Sequence, residues 1–185
     1  MTQATASKVA AGKWVVDPVH SSVGFETTHM IVSKFRGSFK DFDVNLNSSD
    51  EGASIEGAVR VNSVETRLED LTQHLQTADF FDAENHPEIT VKSNSIEVDD
   101  NNNVRIEADL TIRGITKPVV VTGTYAYVEA GLAGHPVIGL DLETTINRHD
   151  FGVSWNAPLP SGGFVLADDV KLTAELELVP ASEED

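Results

Sequence analysis

The run Leu110-Thr111-Ile112-Arg113-Gly114-Ile115-Thr116-Lys117-Pro118-Val119-Val120-Val121 decides the fold of this chain. Upstream of Arg113, the residues Val104, Ile106, Ala108, Leu110 and Ile112 alternate with Arg105, Glu107, Asp109 and Thr111. A period of two marks a strand with one apolar and one wet face. Downstream, Val119, Val121, Gly123, Tyr125 and Tyr127 share one face, with Thr122 and Thr124 on the other. Two long strands joined by a short connection containing Gly114 predict a β-hairpin at the centre of a sheet.

The same pattern extends outward on both sides. Trp14, Val15 and Val16 open a first strand that bends at Asp17-Pro18 and resumes through Val23 and Phe25, because proline inside a strand is confined to an edge or a bulge. His29-Met30-Ile31-Val32-Ser33-Lys34 lacks clean alternation and reads as a short helical turn. The change of phase between Phe39 and Phe42, across Lys40-Asp41, predicts a β-bulge. Ala53, Ile55, Gly57, Val59 and Val61 form the next inward face, and Ile89 and Val91 another, with a slip of phase near Ser95. Ile138 to Ile146 and Val170 to Leu178 supply the last two alternating runs. One helix interrupts the strands. Thr66-Arg67-Leu68-Glu69 fits a capping box, and Leu68, Leu71 and Leu75 form a stripe at helical spacing, expected to cover an open end of a sheet.

About eight strands and one helix, without βαβ alternation, give an all-β class: an extended antiparallel barrel with one covering helix. A two-sheet sandwich is the competing architecture. Residues 104 to 113 would span roughly 33 Å, which favours the barrel. The domain is expected over residues 13–180, between a mobile tail at 1–12 and an acidic tail at 181–185.

Composition excludes several functions. With 13 basic and 30 acidic residues the net charge is −17, which argues against nucleic acid and against anionic membrane surfaces. There is no cysteine, so disulfides, thiolate catalysis and cysteine metal sites are excluded. No segment is apolar over a membrane-spanning length, and residues 1–12 do not read as a signal peptide, so a cytoplasmic location without membrane insertion is expected. The histidines are His20, His29, His74, His86, His135 and His149. None sits in a zinc motif, and His20-Ser21 and His149-Asp150 carry triad residue types without a nucleophile elbow. No metal, cofactor or catalytic residue is therefore assigned. Lys34 and Arg148 are the more interesting ions, each beside an apolar run in a chain poor in bases. Small residues fall near mid-strand on inward faces: Gly57, Ala108, Gly123 and Ala174. They leave room for a ligand, or they relieve strand coiling.

Several stretches, in order from about Trp14 to Val179, resemble one family. Asp17-Pro18-Val19-His20-Ser21-Ser22-Val23-Gly24-Phe25, His29 to Phe39, Asp79-Phe80-Phe81-Asp82 with Asn85-His86-Pro87, Leu110 to Pro118, and Asn147-Arg148-His149-Asp150-Phe151-Gly152 are similar to blocks of the YceI-like, polyisoprenoid-binding proteins. The resemblance implies a lipocalin-like barrel that holds an amphiphilic lipid such as a polyprenyl phosphate, an isoprenoid quinone or a fatty amide. It implies a lumen lined by Phe25, Phe39, Phe42, Gly57, Val59, Phe80, Phe81, Ala108, Leu110, Val121, Gly123, Tyr125, Leu142, Ile146, Phe151 and Ala174. Lys34, His86 and Arg148 are its head-group candidates. The expected function is non-catalytic carriage of that lipid, with a homodimer left open. An isomerase or cyclase using His20, His86 or His149 is one alternative, and a ligand-free stress protein is another.

Overall fold

The computed structural model describes residues 8–182. Eleven strand segments form one sheet: β1 (Gly12–Val16), β2 (Ser22–His29), β3 (Ser33–Phe39), β4 (Phe42–Ser49), β5 (Gly52–Arg60), β6 (Val64–Glu65), β7 (Glu88–Val98), β8 (Asn103–Ile112), β9 (Ile115–Val128), β10 (Val137–Asn147) and β11 (Leu166–Pro180), with helix α1 at Glu69–Gln76. The segments join into eight staves. β1 and β2 lie end to end along β11, and β4 and β3 lie end to end along β1 and β2. β5 and β6 extend the next stave against β4 and β3. Because β11 pairs with both β10 and β1–β2, the sheet closes into an antiparallel barrel.

The interruptions explain where the sequence pattern stumbles. At the first, Asp17 accepts the Val19 N–H at 2.9 Å and the Glu177 N–H reaches Ser21 Oγ at 2.9 Å, so side chains replace ladder bonds beside Pro18. At the second, the expected bulge at Lys40-Asp41 is instead a break between two strands. The Lys40 and Asp41 amides donate to the Ser63 carbonyl and Ser63 Oγ, while the Arg60 amide donates to the Asp41 carbonyl. The slip near Ser95 is a register shift between β7 and β8.

Two local expectations are corrected. His29–Lys34 is no helical turn: β2 and β3 form a hairpin around it, with Met30 and Ile31 at φ 48° and 67°. Helix α1 has Leu68 at its N-cap and no side-chain cap. The Thr66 hydroxyl donates to the Leu68 carbonyl, and Thr72 Oγ1 accepts the Thr66 N–H at 3.0 Å. The capping box therefore does not form, and Leu68 points to solvent.

The interior has two halves. The lower end, by the β4–β5, β7–β8 and β9–β10 connections, is packed solid by Trp14, Leu46, Val104, Tyr125, Ile138 and Leu178. Part of the expected tail closes this end. Val9 is buried among these residues, Ser48 Oγ donates to its carbonyl, and the Ala10 N–H donates to the Tyr125 hydroxyl. Residues 8–12 are therefore anchored by apolar burial and hydrogen bonds, while residues 1–7 and 183–185 lie outside the described residues. The upper end holds a second cluster around Phe25, Phe39, Leu75, Phe80, Ile112 and Phe151, and it is hollow.

Candidate functional site

All eight staves turn apolar side chains into one cavity of about 510 Å³ in the upper half of the barrel. Strict alternation puts them there: β8 buries Val104, Ile106, Ala108, Leu110 and Ile112, and the last four line the cavity. β11 contributes Leu172, Ala174 and Leu176, β5 contributes Ile55, Gly57 and Val59, and β2 contributes Val23 and Phe25. Above them, α1 lays Leu71 and Leu75 over the opening.

Two groups of rings frame the upper cavity. Phe25 stacks obliquely on Phe35 and Phe39, and Phe81 meets Phe25 and Phe39 edge-on, with centroids 5.7–6.1 Å apart. The Phe25 ring lies over Gly37, where a Cβ would stand 2.4 Å from Cζ, so the ring's position requires glycine beneath it. On the other side, His74, Phe80 and Trp155 form a triangle with centroids 5.0–5.2 Å apart, and His74 Nε2 is 2.8 Å from Asp79 Oδ2. Arg113 at the β8–β9 turn fixes this region by donating to the Ala78 and Phe80 carbonyls.

Arg148 is the charged side chain most deeply placed in the wall. Asn147 Oδ1 accepts the His149 N–H and opens a one-turn 3-10 segment that Gly152 ends at φ 72°, which turns Arg148 inward to 4% exposure. Its Nε donates to the Ala167 carbonyl at 2.9 Å, and its Nη1 to the carbonyls of Val153 at 2.8 Å and Trp155 at 2.9 Å. Nη2 is buried without a hydrogen-bond partner, and the Asp168 carboxylate stands 3.9 Å away. Burial pushes the guanidinium pKa down, with Asp168 opposing. A buried cationic donor without a hydrogen-bond acceptor is costly in an apolar wall.

Of the residues expected in the lumen, Phe25, Phe39, Gly57, Val59, Phe80, Phe81, Ala108, Leu110, Val121, Leu142, Ile146, Phe151 and Ala174 line the cavity. Phe42, Gly123 and Tyr125 do not. Phe42 is buried in the packed core. Tyr125 belongs to the lower plug, where its hydroxyl meets Ala10. Gly123 faces a neighbouring strand so closely that a Cβ would stand 1.8 Å from the Asp141 carbonyl oxygen. Among the head-group candidates, Lys34 lines the opening, 3.3 Å from Glu26 and donating to Thr28 Oγ1. His86 lies outside the wall, 3.9 Å from Asp82 and against Gly114. His20 and His149, named for the enzymatic alternative, are also outside it. His20 pairs with Asp17 at 2.9 Å, and His149 with Asp168 at 2.9 Å. The sequence reading missed His74, Trp155 and Phe35 as wall residues. The signal for Phe35 was its odd-numbered phase with Phe25 and Phe39; nothing local marked the other two.

Comparison with known proteins agrees with this architecture. The family model described as a YceI-like domain matches residues 14–178. UPF0312 protein SERP2314 of Staphylococcus epidermidis is 32% identical over 169 residues, 89% of this chain and 96% of its own. Among solved structures, Burkholderia cenocepacia BcnA superposes with a TM-score of 0.75 at 24% identity, covering 90% of this chain and 99% of that one. A polyisoprenoid binding domain from Saccharophagus degradans gives 0.70 at 14% identity, covering 91% and 98%. With the family model spanning nearly the whole barrel and a relative at that identity, the chain belongs to the YceI-like family.

Proposed function

We propose that this protein binds and carries an amphiphilic polyisoprenoid or similar lipid, chain in the cavity and head group at Arg148 and Lys34, without catalysing its conversion. One observation carries the reading: an apolar cavity walled by every stave, with the Arg148 Nη2, buried without a hydrogen-bond acceptor, in its wall. The polyisoprenoid-binding structural neighbour supports the ligand class. The volume suits the chain. Taking a methylene as roughly the volume of one water, about 30 Å³, the cavity takes about seventeen carbons, or three to four isoprene units. At about 0.8 kcal/mol per buried CH₂ that is about 14 kcal/mol gross. Micromolar affinity needs about 8 kcal/mol, which leaves about 6 kcal/mol for association and ordering of the chain.

The non-catalytic reading rests on where the histidines lie. His20, His86 and His149 are outside the cavity wall; of the two histidines that line it, His74 is committed to Asp79 and two aromatic rings, and His29 stands at the opening, at the end of β2. Native mass spectrometry of gently purified protein, followed by titration with polyprenyl phosphate and the matching polyprenol, tests the reading. A roughly one-to-one adduct supports it, and bare protein at every stage refutes it.

A further inference from the structure

The turn between β2 and β3 breaks a local rule in a telling place. Met30 and Ile31 both have positive φ, and the Val32 N–H donates to the His29 carbonyl, which is the type I′ geometry. Such turns favour Asn and Gly, and a β-branched residue at positive φ is a steric outlier. The β8–β9 hairpin, with the same two positive φ values of 51° and 71°, places glycine second, as Arg113-Gly114. Here the chain instead projects Ile31 and Val32 at 73% and 82% exposure, with Phe164 exposed beside them. The tip is braced rather than loose: the Met30 N–H donates to the Val165 carbonyl at 2.7 Å, and Asn156 holds both backbone groups of Leu166.

The charge distribution around this tip is equally unusual. Residues 27–40 contain Lys34, Arg36 and Lys40 and no acid, and residues 151–167 contain no Asp, Glu, Lys or Arg at all. All 30 acidic residues of a −17 chain lie elsewhere. Glu26 pairs with Lys34 and Arg36, and Glu65 with Lys40, so the bases here are balanced, while the tip residues 30–33 and the facing residues 151–167 carry no carboxylate of their own to repel lipid phosphates. His29, Ser33, Lys34, Val165 and Leu166 of the same two segments line the cavity. We propose that the mouth end docks on a zwitterionic lipid bilayer by inserting Ile31, Val32 and Phe164 among the headgroups. A convex tip of a few apolar side chains suits interfacial insertion, whereas a stable protein interface needs a surface of about 800 Å² per partner. Docking goes beyond the binding reading and does not depend on what the cavity holds.

The cysteine-free chain permits a clean test. Val32→Cys carrying an NBD label is mixed with phosphatidylcholine vesicles, beside Leu132→Cys, also exposed, at the opposite end. The label at position 32 brightens and shifts to the blue, and that at 132 does not. Ile31→Asp/Val32→Asp lowers vesicle co-sedimentation at least tenfold while polyprenol uptake is kept. Met30→Asn/Ile31→Gly, which suits the turn, raises the melting temperature and also loses co-sedimentation, so misfolding cannot explain that result. No response at position 32, equal response at both ends, undiminished sedimentation of the variants, or burial of the tip in a self-dimer would overturn the proposal.

Discussion

Replacing Arg148 by methionine separates its two roles. The guanidinium holds the carbonyls of Val153, Trp155 and Ala167, stapling the loop after β10 against the start of β11. Methionine fills similar space and offers no donor. Each carbonyl left without its partner costs about 1–3 kcal/mol where water is excluded. Relief of the desolvated Nη2, which has no hydrogen-bond acceptor, offsets part of that, and Asp168, more than half exposed, is not stranded in the interior. The lower end for three carbonyls, about 3 kcal/mol, is the expected loss. Urea unfolding followed by tryptophan fluorescence reads it as a lower midpoint at unchanged slope. Polyprenyl phosphate and polyprenol titrations are then run where both proteins are folded. The variant is expected to lose the preference for the phosphate and to keep the polyprenol. A stability loss under about 1 kcal/mol refutes the staple, and equal weakening of both ligands refutes the head-group role.

Three further outcomes are expected. Gly123→Ala forces β9 from β10, because its Cβ would overlap the Asp141 carbonyl, and should cost about 3 kcal/mol or more. Gly57→Ala, 3.2 Å from a Val91 methyl, should cost under about 1 kcal/mol, and comparable melting temperatures for the two would contradict this. Ala108→Phe projects its ring into the cavity, so it should block polyprenol uptake while the barrel still melts cooperatively; normal uptake by folded variant would place position 108 outside the ligand path. The hydrogen bond between His20 and Asp17 raises the histidine pKa above 6.5 and lowers the carboxyl below 3.8. The raised histidine stabilises fully below 6.5 and loses that as pH climbs through its folded value; the lowered carboxyl stabilises above 3.8 and loses that as pH falls through its own. The pair therefore helps between acid and neutral pH, and Asp17→Asn should move the His20 NMR midpoint down toward 6.5. An unmoved midpoint would remove Asp17 as the cause.

The staves were legible because alternation is set by the pleat, and it survived along β8 and β10 and through the middle of β9, while the ends of β9 and much of β11 depart from it, Tyr127 being exposed. The turn at Met30-Ile31 was not, since its geometry is imposed by the hairpin on residues that disfavour it. The capping box failed for a different reason: Thr66 is engaged with Leu68 and Thr72, so the helix starts at Glu69 with an uncapped Leu68. Ala108 and Gly123 looked equivalent, both small and both inward. What separates them is the local approach of β9 to β10, a distance between strands that no single-strand pattern records. Arg148 could be singled out by its apolar neighbours, but its carbonyl partners come from the loop that follows it and from the start of β11.

The division of the barrel into a packed and a hollow half follows from the energetics of an empty cavity. At about 24 cal/mol per Å³, 510 Å³ of interior space that side chains do not fill forgoes at most about 12 kcal/mol relative to a filled core. That is comparable with the whole stability of an ordinary domain, about 5–15 kcal/mol. A barrel hollow along its full length would be hard to keep folded. The lower plug, with Trp14, Ile138 and Leu178 almost wholly buried and Val9 drawn in beneath them, concentrates the apolar burial that offsets the void above. Sheet closure through β11 removes the exposed edges that a weakened core would otherwise leave open to mispairing. The plug, the closed sheet and the anchored segment before β1 are therefore conditions for the cavity. A ligand that fills the upper half returns part of the forgone energy, so binding and folding stability are coupled through the same space.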